Sequence, residues 1–283
     1  MAPVLIDGVT DLHVHGSPSL VRRHASDADT LTANAQVGVT LSVLKAHEGS
    51  TAERALIVGP EAVGGIVLNS PVGGANPDAV EVAARFGARV VWMPTMSSPA
   101  HIASVASPEL AVHAGVRFRE VPIVEDGALR AEWHEVLEVV ASHDLVLASG
   151  HLSCPEAVIL FRAARKAGIE RLMFNHPVLP FLGWDESVIP ELRKLGVNIE
   201  LSILPDILVG GRGPDSHDLA SRYPVELQVF GGDLGHADHP QLTQALPDWV
   251  AGLARRLGDT DTERVLTTNG RELLGPLPVL HDA

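Results

Sequence analysis

Eight short runs rich in Val, Ile and Leu recur along the chain, interleaved with stretches of helical character. This β-then-α rhythm restricts the fold more than any other feature. Parallel strands joined by crossover helices are buried on both faces, so they read as near-continuous apolar runs. The runs cover 9–15, 39–45, 63–69, 89–94, 145–150, 171–176, 197–202 and 228–233. Helices are expected over 78–86, 131–142, 155–167, 187–195 and 240–257. Gly38, Gly87, Gly168 and Gly196 stand between a helical run and the next strand, where a left-handed helix-ending residue is favoured.

Eight such units favour a closed (β/α)8 TIM barrel over an open doubly wound sheet. The open sheet would place a glycine-rich phosphate turn after the first strand, and Asp11-Leu12-His13-Val14-His15 stands there instead. One barrel accounts for all 283 residues as a single domain, and 46% apolar content is ample for its core. The segment 107–130 fits neither strand nor helix. It reads as an insertion between the fourth strand and its helix, either a lid-like hairpin over the barrel mouth or a plain surface excursion.

A net charge of −14 opposes nucleic acid as a partner, because a phosphate-tracking surface needs a basic excess. A single cysteine, Cys154, rules out an intrachain disulfide framework and is best read as a packing residue. The start of the chain lacks the pattern of a signal peptide, and no apolar run is long enough for a bilayer. A cytoplasmic protein with a small-molecule substrate and no nucleic-acid or membrane partner is expected; homo-oligomerisation is left open.

The polar residues that interrupt this apolar pattern sit at the C-terminal ends of the expected strands. His13 and His15 close the first, Lys45 the second, His151 follows the fifth, His176 closes the sixth and Asp233 the eighth. In a barrel these ends converge on the face that carries active sites. His13 and His15, two apart on a strand, point to one side, and Asp11 is expected to share it. Taken singly, each has an ordinary reading as a satisfied histidine or a helix cap. Together they make a site for a divalent metal, of which zinc is the first candidate and manganese, iron, nickel or cobalt are alternatives.

These residues give the chain a resemblance to the amidohydrolase superfamily of metal-dependent hydrolases. The resemblance is carried by His13-x-His15, a histidine on each of strands five and six, Asp233 on strand eight, and the ending Val-Leu-Thr-Thr-Asn-Gly-Arg-Glu-Leu-Leu over 265–274. More narrowly, Asp11 to His15, Leu44 to His47, Met93 to Thr95, Gly150-His151 and Asp233 to Gly235 resemble an uncharacterised amidohydrolase-like subfamily. Because His13 and His15 come almost at once, the N-terminal β-sandwich of many members is expected to be absent. The resemblance implies that His13, His15 and Asp233 hold one metal, while His151 and His176 hold a second or orient substrate. It implies a metal-activated water as nucleophile, with Asp233 moving its proton to the leaving group.

The usual bridging lysine or glutamate of strand four is missing, since that strand ends Trp92-Met93-Pro94-Thr95. Lys45 is then either a carboxylated bridge between two metals or an ammonium that anchors an anionic substrate. His47, His101, His236, His239, Arg22 and Arg23 are candidate substrate contacts, each with plain solvent exposure as the alternative. His24, His113, His134, His143, His217 and His281 are expected on the surface. Hydrolysis of an amide, cyclic amide or related C–N bond is the leading expectation. Ester, lactone or phosphoester hydrolysis, metal-dependent decarboxylation and a non-catalytic binding barrel are the alternatives.

Overall fold

The computed structural model describes residues 6–277 except 114, 211, 212 and 214, with the side chains of 108, 109 and 112 also left aside. His281 therefore lies outside the described residues. Eleven strands are present among them: β1 (Val9–Val14), β2 (Val39–Leu44), β3 (Ala62–Val63), β4 (Gly65–Val67), β5 (Val90–Trp92), β6 (Val124–Glu125), β7 (Ala128–Leu129), β8 (Val146–Ala148), β9 (Leu172–Phe174), β10 (Asn198–Ser202) and β11 (Gln228–Gly231).

All pairs except the β6–β7 hairpin are parallel. One sheet runs β1-β2-β3 and another β11-β10-β9-β8-β5-β4. Gly64 alone separates β3 from β4, and a Cβ there would stand 2.4 Å from Ala52 Cα. At the other end β1 meets β11: Asp233 N donates to His13 O at 2.9 Å and His15 N to Leu234 O at 3.1 Å.

The apolar runs separate into two layers. Leu12, Leu41, Val43, Val67, Trp92, Met173 and Val229 pack together on the inner face, with Leu273 and Leu274 of the last helix (Asn269–Leu274) joining them. The opposite faces of the strands pack on helices through residues such as Leu147, Phe161, Phe174 and Phe230. Helices at Pro77–Arg85, Trp133–Ser142, Cys154–Lys166, Ile189–Lys194 and Leu242–Leu257 lie within one or two residues of the expected boundaries. The four glycines expected at helix ends all have φ between 60° and 88°, the left-handed region. Among the described residues no helix is long and apolar enough to cross a membrane.

One expectation is corrected. Asp11 does not share the side of His13 and His15. The β1–β2 register is irregular between Asp11 and Val14, so Leu12 turns to the inner cluster while Asp11 and Val14 line an outer cleft with Asn34 and Leu242. A bulge of this kind re-aims every side chain beyond it. The insertion also divides. Its β6–β7 hairpin borders the outer helices, where Ala128 and Leu129 lie beside Ile159 and Ala163 rather than over the strand ends. The turn Pro108–His113 is the part that reaches the mouth, through Leu110 and His113.

Candidate metal centre

His13, at the end of β1, and Asp233, just past β11, are held by the strand-to-strand hydrogen bonds described above. His13 Nε2 lies 3.0 Å from Asp233 Oδ1 and His15 Nε2 lies 3.2 Å from the same oxygen. Lys45 Nζ, following β2, is 3.0 Å from His13 Nε2. His176, following β9, offers a ring nitrogen that with His13 and Asp233 forms a group mutually within 4.8 Å. His176 and Asp233 adopt φ of 28° and 53°, a conformation that costs free energy in non-glycine residues and is tolerated where function demands it.

The tautomers follow from the other ring nitrogens. His13 Nδ1 donates to Glu200 Oε1 at 3.0 Å, and His15 Nδ1 donates to Lys45 O at 2.9 Å. Each neutral imidazole then turns the lone pair of Nε2 toward Asp233 Oδ1. Acceptors facing each other at this range need a cation between them, a proton or a metal. Both ring nitrogens of His176 are buried without a hydrogen-bond partner, which is costly unless a ligand supplies one. The residues therefore fit a divalent metal: His13, His15, His176 and Asp233 could hold it, and a carbonyl and a carboxylate orient two of the imidazoles as metal-site partners do.

The titration of these groups shows the same demand for positive charge beside Asp233, which without a metal a proton on His13 meets. Burial alone would lower His13, but Asp233 and Glu200 hold it up at about 8 against the opposing Lys45. Burial keeps His15 well below the ordinary histidine value, with Arg23 adding to the effect. Burial opposes ionisation of Asp233, yet His13, His15 and His176 hold its carboxyl well below the usual range. Lys45, also buried, is lowered to about 8 by burial although Asp233 and Glu200 act against this. It rests 5.5 Å from the Trp92 ring centroid.

Beside this group lies a second set of histidines. His151, just past β8, does not join the His13–His176–Asp233 group; its Nδ1 is 2.9 Å from His101 Nδ1. Ser98 caps the short helix Pro99–Ala103 that carries His101, and its Oγ donates to His151 O at 2.7 Å. His47 Nδ1 pairs with Thr95 Oγ1 at 2.9 Å, and Asn69 Nδ2 donates to the same hydroxyl at 2.7 Å. His113, expected on the surface, is buried, with its ring centroid 4.9 Å from His47 and 5.1 Å from His101. The insertion folds it inward, which local sequence cannot foretell. Burial holds His47, His101, His113 and His151 below their ordinary value.

A pocket opens over both sets, lined by His15, Arg23, His47, His113, His151, Asp233, His236 and His239 together with Leu110, Leu179, Phe181, Leu204 and Leu208. Arg22 is not brought into it: the side chain is 72% exposed and pairs with Asp238. His24 and His134 are exposed as expected, His143 is half-buried against Glu81, and His217 is half-buried against Trp249 O. Cys154 is buried at the start of its helix, with burial raising its thiol.

The most consequential residue passed over in the sequence is Glu200. It is buried on β10, holds His13 through Oε1 and accepts from His176 N at 3.0 Å and Asn175 Nδ2 at 3.1 Å through Oε2. Its signal was available: a lone carboxylate in the run Asn-Ile-Glu-Leu-Ser, otherwise suited to a doubly buried strand.

Fold and site together define a parallel α/β protein with a histidine–aspartate cluster at the C-terminal ends of its strands. The chain belongs to a family of unknown function (DUF6282), whose model matches residues 8–200. No curated protein matches the sequence. A presumed 2-pyrone-4,6-dicarboxylic acid hydrolase from Pseudomonas putida is similar in structure, with 17% identity, a TM-score of 0.61, and coverage of 94% of this chain and 97% of its own. A 2,6-dihydroxybenzoate decarboxylase from Rhizobium has 12% identity and a TM-score of 0.56 over 95% of this chain and 98% of its own. A presumed 2-pyrone-4,6-dicarboxylic acid hydrolase from Acinetobacter baumannii has 11% identity and a TM-score of 0.58 over 94% and 99%. At such identities the likeness speaks to the fold alone.

Proposed function

We propose that the chain is a metal-dependent hydrolase of the amidohydrolase type, built as one closed (β/α)8 barrel. The observation that carries this reading is the pair of histidine lone pairs aimed at a single oxygen, Asp233 Oδ1, beside the unpartnered His176. Closure is supported by the β1–β11 hydrogen bonds and by the one-residue gap between β3 and β4. His13, His15, His176 and Asp233 would hold one divalent ion, zinc before manganese, iron, nickel or cobalt.

Such an ion would polarise a substrate oxygen and make water acidic near neutral pH. Asp233 would accept the proton of the attacking water at its second oxygen, Oδ2, and return it to the leaving group. His47, His113 and His151 would orient substrate, and Leu179 and Phe181 would exclude bulk water. Lys45 acts as an ammonium at Nζ, facing His13 and the substrate, rather than as a bridge. The bond cleaved is that of an amide, cyclic amide, lactone or ester.

A second reading, metal-dependent decarboxylation, is favoured by one feature. His151 pairs with His101 instead of entering the His13–His176–Asp233 group, which leaves a single compact ligand set next to a deeply placed arginine. The similar Rhizobium structure is that of a decarboxylase.

Elemental analysis of the purified protein, followed by assay on a panel of lactones, cyclic amides and aromatic carboxylates, tests both. About one ion per chain is expected, and replacing His13 and His15 together by alanine should abolish it. Unchanged metal content in that double variant overturns the reading. Carbon dioxide release without water addition selects the decarboxylase.

A further inference from the structure

We propose that Arg23 forms a subsite for the carboxylate of a small, largely apolar substrate bound in the histidine-lined pocket. This rests on the catalytic reading above and narrows its substrate class.

The guanidinium is set into the pocket wall and is short of partners. Its Nε is buried without a hydrogen bond, and among the described residues it takes part in no ion pair. Among the described residues its one side-chain polar neighbour is His15 Nδ1, 3.3 Å from Nη2. That nitrogen carries the proton donated to Lys45 O at 2.9 Å, so it cannot also accept from Arg23. Glu48 is the opposite charge that acts most on Arg23; its Oε1 accepts from Ser19 Oγ at 2.9 Å and Leu20 N at 2.6 Å, and its Oε2 is buried without a partner but makes no ion pair with Arg23. A buried Nε–H without an acceptor is costly unless something answers it.

Its backbone is fixed: Arg23 bridges His236, and His24 N donates to Gly235 O at 3.0 Å. The fork is thereby held beside Asp233 and the candidate metal group. A planar guanidinium fork matches a carboxylate through two parallel hydrogen bonds. The lining also includes Leu179, Phe181 and Leu204, which suit an apolar or planar body on that carboxylate.

The test is calorimetric titration of the purified protein with benzoate, benzamide and inorganic phosphate, with metal content measured on the same samples. Saturable benzoate binding is expected, with benzamide and phosphate at least about tenfold weaker. Arg23→Met should weaken benzoate by about tenfold or more at unchanged metal content. Arg23→Lys, which keeps the charge but not the fork, should lie between. Benzoate should still bind protein stripped by a chelator, and failure of the metal reading would leave this arm intact. Benzoate affinity lost on chelation yet unchanged in both Arg23 variants would place the carboxylate on the metal and overturn the proposal. Equal binding of benzamide, preference for phosphate, or no benzoate binding would overturn it as well.

Discussion

Glu200 Oε1 lies 3.0 Å from His13 Nδ1, across 187 positions of sequence, while its Oε2 accepts from the backbone of His176 at 3.0 Å. One buried carboxylate thus orients two candidate metal ligands at once. It fixes the tautomer of His13 and leaves Nε2 free to face Asp233.

Glu200→Gln keeps the shape and one acceptor but removes the charge that sustains the His13 tautomer. Metal affinity, read by competition with a chromophoric chelator, should fall about 10- to 100-fold. The far-ultraviolet spectrum should be unchanged. Affinity within a few-fold of wild type would mean that Glu200 only satisfies the strand interior.

Lys45 stands 3.0 Å from His13 Nε2 and against the Trp92 ring. As an ammonium anchor, its replacement by alanine should leave metal content unchanged while substrate affinity falls by about tenfold. Loss of metal in Lys45→Ala, with activity restored by bicarbonate, would instead identify a carboxylated lysine bridging two ions.

Asp233→Asn retains an oxygen toward the histidines and removes the base. Turnover should drop on the order of 10²–10⁴-fold while most of the metal stays bound. Turnover and metal content must be measured on one preparation. If turnover stays within a few-fold of wild type, Asp233 serves only as a ligand and His176 becomes the first candidate for the base.

Tyr223 is buried and donates to Val197 O at 2.7 Å, and burial raises its phenol above the ordinary value. A group whose folded value is raised contributes stability that is complete below the unfolded value. That contribution is lost as pH rises through the folded one. Urea midpoints measured from about pH 9 to about pH 11 should therefore fall more steeply in wild type than in Tyr223→Phe, with each unit worth up to about 1.4 kcal/mol. Parallel curves would show that this phenol does not set the alkaline limit.

Much of this protein is legible in the order of its residues. The apolar runs marked the parallel strands because doubly buried strands need continuous Val, Ile and Leu. Positive-φ glycines at Gly38, Gly87, Gly168 and Gly196 marked helix ends because only glycine adopts that backbone cheaply. His13, His15, Lys45, His176 and Asp233 stood out because polar side chains at strand ends interrupt an otherwise apolar pattern. What the order of residues left open was which atoms meet. Asp11 lies on the far side of β1 because a register irregularity reverses the alternation beyond it, and a bulge leaves no mark in the spacing of residues. His113 and Glu200 join the site through the path of an insertion and the lateral register of β10 against β9 and β11. Arg22 and Arg23 are chemically identical neighbours, yet one pairs with Asp238 in solvent and the other enters the pocket. Local propensity acts over a few residues, whereas the cluster is assembled across separations such as the 187 positions between His13 and Glu200. Only the packing of the strands against one another could decide it.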